Sequence, residues 1–336
     1  MAIEQFSIDG NLFLAYANYK SDSDGYNTDS FIYKLNDSTG KFSLYQSINT
    51  SAGRDVKHFT IGDKHYLAVN NRNNGVTSQL NSTIYQWNGH KFVFFQNITT
   101  VGGTSFNFFE ISSESFLAVT NTDLNNLIIY KWKSNHFEKF QELETELSKA
   151  STAFAINNET FIVFANYKSA QEGYSVKSPV FKWSGRSFVE FQSLQTYGAW
   201  DVKSFKDNGD TFLAFANQFS GSHFNIDSSI YKWDGSKFIS FHFISTRGAR
   251  AWHPFIICGQ TFLGVANSRD DSQKYSTHSV VYRFSGEQLI KYQEFSTQGA
   301  NDIMSFEYRG HTYLATANFI DNDGKRNLNS TLYKRT

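Results

Sequence analysis

One six-residue segment recurs seven times along the chain, and this repeat limits the possible folds more than any other feature. The segment reads FLAFAN in its most regular copy, and every copy ends at an asparagine: Asn18, Asn71, Asn121, Asn166, Asn217, Asn267 and Asn318. Successive asparagines are 53, 50, 45, 51, 50 and 51 residues apart. These spacings fall in the period range of solenoid and propeller repeats, so the chain is predicted to contain seven copies of one structural unit.

Each repeat contains four segments with the pattern of β-strands. In the fifth copy, Phe205 marks a first segment seven residues before the aromatic residue that begins FLAFAN. A β-branched and aromatic run, SIYKW, places its tyrosine 14 residues after Asn217, and the turn WDGS leads to a fourth run, KFISFH. The repeat therefore predicts a four-stranded antiparallel meander. In the third copy the corresponding tyrosine follows Asn121 by only 9 residues, which predicts a shortened loop between the second and third strands.

The FLAxAN segment is apolar at consecutive positions, which predicts a strand that is buried on both faces. Sheets that stack as blades around an axis bury both faces in this way. We therefore predict an all-β fold, a seven-bladed β-propeller of four-stranded antiparallel blades that forms a single domain over residues 1–336. An open solenoid of seven units is the alternative, but it requires polar capping repeats at both ends, and none is visible.

The order of strands within a blade follows from proline. Pro254 lies in the first strand of the sixth repeat, and because proline has no N–H group this strand is predicted to be an edge, nearest the axis. The sequence stops at Thr336, just after the seventh third strand, so the last blade is predicted to lack an outer strand or to borrow one.

Two recurring amides are predicted to have structural roles. The asparagine at the end of FLAxAN is predicted to satisfy backbone groups of the loops at the strand end. A glutamine near the end of the fourth strand is predicted to bond neighbouring backbone. These glutamines are Gln46, Gln96, Gln141, Gln192 and Gln293, and His242 takes their place in the fifth repeat.

Composition excludes several functional classes. Lys plus Arg and Asp plus Glu both number 31, so no net field attracts nucleic acid or an anionic membrane. Cys258 is the only cysteine, which excludes an intrachain disulfide and a cysteine-based zinc site. No run approaches the roughly 18 apolar residues of a membrane helix, and the start shows no secretion signal. Phosphate loops, zincin helices and nucleophile elbows are also absent from the sequence.

The alternation of DVKSF, TFLAFAN, SSIYKW and KFISF resembles the EAR repeat, also called the epitempin or EPTP repeat, over nearly the whole chain. This family includes the leucine-rich glioma-inactivated proteins, whose EAR domains are seven-bladed β-propellers. The resemblance implies an extracellular interaction module that binds a partner and does not catalyse a reaction.

One register of the first strands holds three carboxylates. Asp55, Asp201 and Asp302 lie four residues before the first-strand phenylalanine, and Asn301 is adjacent. In a propeller these side chains would point towards one end of a narrow channel, where like charges raise each other's pKa unless a cation neutralises them. The hypothesis is a Ca²⁺ or similar ion held by these residues. The alternative is that the aspartates cap turns or pair with Arg or Lys. No organic cofactor is predicted.

Large aromatic residues and arginines cluster beside this register in the fifth and sixth repeats. Such clusters anchor protein interfaces and sugar sites, although core packing is the alternative for the two tryptophans. The predicted ligand-binding residues are Arg54, Tyr197, Trp200, Arg247, Arg250, Trp252 and His253.

The leading hypothesis for function is a non-catalytic propeller that binds a protein or a glycan. The predicted face consists of the second-to-third-strand loops and the fourth-to-first-strand links. These loops differ strongly in sequence, which favours one asymmetric face over several equivalent sites. The alternative is a hydrolase or lyase that acts on a polysaccharide at the channel mouth, with Asp201, Asp302 and His253 as acid and base.

Overall fold

A computed structural model describes residues 2–326 and 328–334 of the chain. The described residues form 27 β-strands, β1 to β27, and one short 3₁₀ turn, Thr122–Leu124. The strands make seven antiparallel sheets, and the chain divides into two compact units, Met1–Glu142 and Leu143–Thr336. The single domain predicted over residues 1–336 stays a prediction.

Twelve strands form the three sheets of the first unit, each a meander in chain order. Blade one contains β1 Ile3–Ile8, β2 Asn11–Tyr16, β3 Asn27–Asn36 and β4 Lys41–Ser51. Blade two contains β5 Gly53–Ile61, β6 Lys64–Asn71, β7 Gln79–Trp87 and β8 Phe92–Val101. Blade three contains β9 Gly103–Ile111, β10 Glu114–Asn121, β11 Asn126–Lys133 and β12 His136–Glu144.

Fifteen strands form the four sheets of the second unit. Blade four contains β13 Ser148–Ile156, β14 Glu159–Asn166, β15 Ser175–Trp183 and β16 Phe188–Tyr197. Blade five contains β17 Ala199–Asp207, β18 Asp210–Asn217, β19 Asn225–Trp233 and β20 Phe238–Arg247. Blade six contains β21 Ala249–Ile257, β22 Gln260–Asn267, β23 Ser276–Phe284 and β24 Leu289–Gln298. Blade seven contains β25 Asp302–Tyr308, β26 His311–Ala317 and β27 Thr331–Lys334.

The predicted fold class is confirmed as a seven-bladed β-propeller with four-stranded antiparallel blades and three strands in the last blade. The first strand is an edge of every sheet, and within each unit it contacts the first strands of the neighbouring blades. Pro254 therefore lies in an edge strand, as predicted. The shortened loop of the third repeat is the 3₁₀ turn between β10 and β11.

The hydrophobic cores lie between neighbouring blades, which explains why FLAxAN is apolar at consecutive positions. In β18, Leu213 and Phe215 pack into a core shared with blade four. Their neighbours in the same strand, Phe212 and Ala214, pack into a core shared with blade six. Because successive side chains of a strand point to opposite faces, a strand with a blade on each side must be apolar at every position.

The anchor asparagines satisfy loop backbone at the strand ends, as predicted. Asn217 Oδ1 accepts from the Tyr197 N–H at 3.2 Å, and its Nδ2 donates to the Asp227 carbonyl at 2.9 Å. Its own N–H donates to Ser228 Oγ at 3.2 Å. The asparagine thus joins the fourth strand of one blade to the second and third strands of the next. The same acceptor contact recurs at Asn71, Asn121, Asn267 and Asn318.

Three of the fourth-strand glutamines, Gln46, Gln96 and Gln192, bond the backbone of the next blade, as predicted. Gln46 Nε2 donates to the Phe92 carbonyl at 2.8 Å, and Gln46 Oε1 accepts from the Phe92 N–H at 3.0 Å. Gln96 makes the same pair of bonds to Phe137, and Gln192 makes it to Phe238. Each of these glutamines therefore holds a phenylalanine in the first two positions of the fourth strand of the following blade.

Candidate binding face

The fourth-to-first-strand links and the second-to-third-strand loops lie side by side in the second unit. The Gly198 N–H donates to the Tyr174 carbonyl at 2.8 Å, and the Gln218 N–H donates to the Gly198 carbonyl at 3.0 Å. Gly198 has φ +51°, and a Cβ atom there would lie 2.3 Å from the Phe219 carbonyl oxygen. The close approach of the two segments therefore requires glycine at this link. We call the surface that these segments form in the second unit the loop face.

An inner row of cations and rings lies at the start of the first strands and beside them on the loop face. It consists of Lys149, Tyr167, Trp200 and Arg250. The Arg250 guanidinium stacks 4.4 Å from the Trp200 ring centre, and Lys149 Nζ lies 5.2 Å from the ring of Tyr167 and 5.4 Å from that of Trp200. Such cation–π contacts fix the side chains without neutralising their charge.

Arg250 is also oriented by two amides. Its Nη1 donates to Asn301 Oδ1. With the Gln218 amide turned so that its oxygen faces the donors, that oxygen accepts from Arg250 Nε at 2.6 Å and from Nη2 at 3.1 Å. The guanidinium is therefore held rigidly over the face of Trp200, and both side chains are half-buried.

An outer row of stacked groups crosses the loops of blades four, five and six. It consists of Tyr174, Phe219, Phe224, Arg269 and Tyr275. Tyr174 and Phe219 have ring centres 4.9 Å apart, and Phe219 stacks on Phe224 at 4.5 Å. Arg269 lies 4.4 Å from the Phe224 ring and 5.0 Å from that of Tyr275. All five side chains are half-buried, so part of each remains open to solvent.

Tyr167 and Tyr174 connect the two rows. Their rings meet edge to face at 5.2 Å. Burial, together with the nearby Tyr174, raises the pKa of Tyr167 to about 12, although Arg250 and Arg269 act in the opposite direction. Tyr167 is therefore a neutral phenol at physiological pH and adds no charge to the face.

The residues predicted to bind a ligand are divided among different environments. Trp200 and Arg250 belong to the inner row, and Tyr197 and Arg247 are exposed at the last positions of β16 and β20. Trp252 is fully buried in the core between blades five and six, which matches the packing alternative. Arg54 lies in the first unit, where its guanidinium stacks 4.5 Å from the Tyr19 ring.

Two of the three aspartates predicted to hold a cation bond the neighbouring blade. Asp55 Oδ2 accepts from the Phe106 N–H of blade three at 2.6 Å. Asp201 Oδ2 accepts from the Trp252 N–H of blade six at 3.1 Å, and its Oδ1 lies 3.2 Å from Lys203 Nζ. In both contacts the partner lies 51 residues later in the sequence. The same repeat position therefore joins the first strand of one blade to the first strand of the next.

His253 makes a related contact two positions further along the strand. Its Nε2 accepts from the Ser305 N–H at 2.9 Å and lies 3.0 Å from Ser305 Oγ. In the first unit, Glu4 Oε1 accepts from the His58 N–H at 3.2 Å in the corresponding position. An imidazole nitrogen accepts only when it is unprotonated, so His253 is placed here as a neutral acceptor.

The cation predicted at Asp55, Asp201, Asp302 and Asn301 stays a prediction. Asp302 Oδ1 accepts from the Ile303 N–H of its own strand at 2.9 Å, and Asn301 bonds Arg250. Over residues 2–326 and 328–334, no group of three or more His, Cys, Asp and Glu side chains is arranged to hold a metal ion. Asp55 and Asp201 can serve as links between blades without one.

The sequence carries a signal for the outer row that lies outside the FLAxAN segment. Arg269 lies two residues after an anchor asparagine and six before Tyr275. The same spacing recurs at Lys20 and Tyr26, 4.6 Å apart, and at Lys168 and Tyr174, 5.0 Å apart. A basic residue followed six positions later by a tyrosine therefore marks a loop in which the basic side chain stacks on the tyrosine ring.

The fold and the loop face define a class of protein: a propeller that presents variable loops on a repeated strand framework. The chain belongs to the EPTP domain family, whose model matches more than half of it, at residues 41–88, 91–133, 187–234, 237–285 and 288–335. These matches begin near a fourth strand and end near the third strand of the next blade.

Curated relatives support the same assignment. The chain is 40% identical over 84 residues to a mouse thrombospondin-type laminin G domain and EAR repeat-containing protein, and 40% identical over 87 residues to the human protein of that name. The matches cover 25% and 26% of this chain but only 12% and 13% of those relatives.

Solved structures show the same fold at low sequence identity. A protein from Lactobacillus plantarum has a TM-score of 0.66 with 14% identity and covers 96% of this chain and 92% of its own. The periplasmic gluconolactonase of Pseudomonas aeruginosa has a TM-score of 0.63 with 12% identity and covers 96% and 98%. Such likeness establishes the propeller fold and leaves the activity open.

Proposed function

We propose that this chain is a binding module that recognises a protein ligand through the loop face of its second unit. The observation that carries the proposal is the pair of rows in which arginine and lysine side chains stack on half-buried aromatic rings. Aromatic and arginine side chains dominate the binding energy of protein interfaces, and these are already held in place before a ligand arrives. The EPTP family assignment is consistent with this role.

The chemistry of the rows favours a ligand with carboxylates next to aromatic or apolar groups. A guanidinium that lies flat on a ring keeps the N–H groups of its edge for an acceptor. Arg269 suits this role, because its side chain is only half-buried and its Nη2 lies a long 3.3 Å from Gln273 Oε1. A ligand carboxylate would bond the Nη groups of this guanidinium.

A glycan ligand is the second possibility within the binding class. Sugar rings also stack on aromatic side chains, and the half-exposed Trp200 offers such a surface. The unequal loops favour one extended face, which suits a protein better than several equivalent sugar sites. The extracellular setting implied by the family resemblance stays part of the proposal. No helix of the described residues has the length and apolar character needed to span a membrane.

Catalysis by Asp201, Asp302 and His253 has less support. His253 Nε2 accepts a backbone N–H, and Asp201 bonds both Lys203 and the Trp252 N–H. Groups engaged in this way hold the strands together and would have to break these bonds to act as acid or base. The solved gluconolactonase shares the fold at 12% identity, which does not carry its activity to this chain.

The proposal is tested by selecting a displayed library of random peptides on the purified chain. Recovered peptides are expected to contain Asp or Glu beside aromatic residues. Calorimetry should then show that Arg269→Ala and Trp200→Ala weaken the binding about tenfold or more, because each removes a rigid anchor. The matched control is Arg186→Ala, an exposed arginine of blade four in the hairpin at the other end of the strands.

A glycan array probed with the same proteins separates the two ligand classes. Signals that free sugar competes away and that Trp200→Ala abolishes would support a lectin in place of a protein receptor. Peptides whose binding falls equally with Arg186→Ala and Arg269→Ala would contradict a site on the loop face.

A further inference from the structure

Two of the second-to-third-strand loops have nearly the same sequence. Residues 18–26 read NYKSDSDGY in blade one, and residues 166–174 read NYKSAQEGY in blade four. Six of these nine positions are identical. We call residues 18–26 and 166–174 the twin loops; one lies in the first unit and the other in the second.

The twin loops also share their internal hydrogen bonds. The Ser21 N–H donates to the Gly25 carbonyl at 2.9 Å, and the Ser169 N–H donates to the Gly173 carbonyl at 2.8 Å. In each loop the serine hydroxyl accepts from the N–H three residues later, at 2.7 Å in the first loop and 2.8 Å in the second. Both glycines have φ +65°, a backbone conformation that favours glycine. The shared residues therefore produce the same turn in both loops.

Each twin loop holds two tyrosine rings edge to face. The ring centres of Tyr19 and Tyr26 are 5.6 Å apart at an interplanar angle of 79°. Those of Tyr167 and Tyr174 are 5.2 Å apart at 87°. This is a favoured arrangement of aromatic pairs, and all four side chains are half-buried. Each pair therefore offers a fixed aromatic surface that is partly open to solvent.

Two basic residues flank the tyrosine pair of the first twin loop. Lys20 Nζ lies 4.6 Å from the ring centre of Tyr26. The Arg54 guanidinium, from the first strand of blade two, lies 4.5 Å from the ring centre of Tyr19. The aromatic surface of this loop is therefore bordered by a cation on each ring.

The second twin loop has the same arrangement. Lys168 Nζ lies 5.0 Å from the ring centre of Tyr174, and Lys149 Nζ lies over Tyr167. Lys149 comes from the first strand of the same blade, whereas the cation over Tyr19 comes from the next blade. The second cation thus has a different origin in the two sites but the same position over the first tyrosine.

The loop of the next blade lies beside each second tyrosine. A Cβ atom at Gly75 would lie 3.5 Å from the Tyr26 ring, and a Cβ atom at Gly221 would lie 3.3 Å from the Tyr174 ring. The same wall therefore borders both aromatic surfaces, so the two sites match in their rings, their cations and their neighbouring loop.

The lysines of the twin loops have their charge available to a ligand. Lys20 and Lys168 form no ion pair within residues 2–326 and 328–334. The exposed Asp24 carboxylate of the first loop accepts from the hydroxyls of Ser21 and Ser23, at 3.0 and 2.7 Å. Because a cation–π contact does not neutralise a lysine, each site combines an aromatic surface with positive charge.

We propose that each twin loop, together with the basic residue over its first tyrosine, is a separate binding site, so that the chain binds two copies of one ligand motif. The motif is an aromatic or apolar side chain beside a carboxylate. The apolar group packs on the crossed rings, and the carboxylate bonds the flanking cations. This inference rests on the proposed function, because it extends the same ligand chemistry to a second place in the chain.

The other loops explain why the number of sites is two and not seven. Blade six keeps Arg269 and Tyr275 at the positions of the lysine and the second tyrosine, but it has Ser268 in place of the first tyrosine. The corresponding loops of blades two, three, five and seven contain no tyrosine. The crossed pair therefore belongs to blades one and four.

The probe is the synthetic peptide acetyl-Glu-Trp-Glu-amide, titrated into the intact chain with carbon-13 in its tyrosine rings. Two-dimensional NMR follows the ring signals, which are assigned with single substitutions. We expect saturable shifts for Tyr19 and Tyr26 and also for Tyr167 and Tyr174. The two dissociation constants should agree within about threefold, because the two sites contain the same groups.

Single substitutions separate the two sites. Tyr26→Ala is expected to abolish the shift of Tyr19 and to leave the signals of the second loop unchanged. Tyr174→Ala is expected to abolish the shift of Tyr167 and to leave those of the first loop unchanged. The stoichiometry in calorimetry should fall from two peptides to one in each variant.

Removal of one charge tests each site without loss of a ring. Lys20→Gln should weaken the first site about fivefold and leave the second unchanged, and Lys168→Gln should do the reverse, because each removes one contact to the carboxylate. Lys34→Gln is the matched control. Lys34 Nζ also lies over a ring, 5.8 Å from the centre of Phe13, but in the third strand of blade one and outside the twin loops.

The outcomes distinguish this inference from the proposed function. Saturable shifts confined to Tyr167 and Tyr174 would overturn the second site and leave the loop face as the binding surface. Shifts confined to Tyr19 and Tyr26 would contradict both, and so would the absence of saturable shifts at millimolar peptide. Equal weakening of the first site by Lys34→Gln and Lys20→Gln would show that the peptide does not bind at the loop.

Discussion

Blade five and blade three have the same four-strand framework but differ at the end where the loops lie. Blade five carries a loop with two stacked phenylalanines, Phe219 and Phe224, which continue the outer row. Blade three replaces this loop with the short turn Thr122–Leu124, which contributes no ring. The framework therefore persists without the loop, and the candidate binding residues belong to the part that varies.

The two blades also differ in the polar contacts beneath their loops. In blade five, Ser228 Oγ lies 2.9 Å from Thr246 Oγ1, and the Thr246 hydroxyl donates to the Ile226 carbonyl. In the third repeat, Leu127 occupies the serine position, and the hydroxyl of Thr145 has no partner among the described residues. Four further blades keep the serine–threonine pair. The pair therefore accompanies the long loops and is dispensable where the loop is short.

The largest effect is expected from the anchor asparagine of blade five. Asn217→Ala should lower the free energy of unfolding by about 3 kcal/mol, because it leaves the Tyr197 N–H and the Asp227 carbonyl without partners. Asn121→Ala should cost less, since the Nδ2 group of Asn121 donates to a side chain, Asn126 Oδ1, and not to a carbonyl. Urea denaturation measures both, and equal losses would remove this distinction between the blades.

The threonine pair gives a sharper contrast. Thr246→Val should lower the free energy of unfolding by about 2 kcal/mol, because it breaks two buried hydrogen bonds without changing side-chain volume. Thr145→Val should cost nothing or stabilise slightly, because it removes a buried hydroxyl that has no partner. Thermal melts of the two variants test this, and a comparable loss in Thr145→Val would show that its hydroxyl is satisfied.

The first strands of the two units should respond alike at this register. Asp201→Ala and Asp55→Ala are each expected to cost about 1–2 kcal/mol, because each leaves a backbone N–H of the next blade without its acceptor. Asp227→Ala, on the exposed face of blade five, is the control.

The same melts test the cation predicted from the sequence. Ca²⁺ that raises the melting temperature of the parent but not of Asp201→Ala would confirm a bound ion. If the melting temperatures of both proteins are insensitive to Ca²⁺ and EDTA, the cation hypothesis fails. Asp201 then serves only as a hydrogen-bonded link between blades.

The smallest effect is expected at high pH. Burial is the largest cause that raises the pKa of Tyr231 in blade five to about 12, from an ordinary value of 10.0, and it also raises the pKa of the equivalent Tyr130 in blade three. Because this pKa is higher in the folded than in the unfolded state, the neutral tyrosine contributes its full stabilisation below pH 10. That stabilisation is lost as pH rises towards 12, with about 1 kcal/mol lost by pH 11.

Phenolate absorbance near 295 nm measures this titration. Tyr231→Phe should remove a group that titrates near pH 12 and the matching part of the alkaline loss of stability. An unchanged titration curve would contradict the raised pKa of Tyr231.

Repetition made much of the fold predictable. Seven copies of FLAxAN fixed the number of blades, Pro254 indicated the edge strand, and the short spacing after Asn121 located the missing loop. The recurring asparagines and glutamines could be interpreted for the same reason, since a side chain that repeats in register repeats its contacts. The candidate site was harder to predict from the sequence. Trp200 and Trp252 look alike in sequence, although Trp200 is half-buried and Trp252 is fully buried.

The sequence by itself determined the strand pattern, the blade count and the register, because these depend on local alternation and on a period that any copy can show. Only the tertiary structure decided which polar side chains face solvent and which join two blades. Asp201 and Arg250 meet partners about 51 residues away, and nothing within one repeat distinguishes a stacked guanidinium from a paired one.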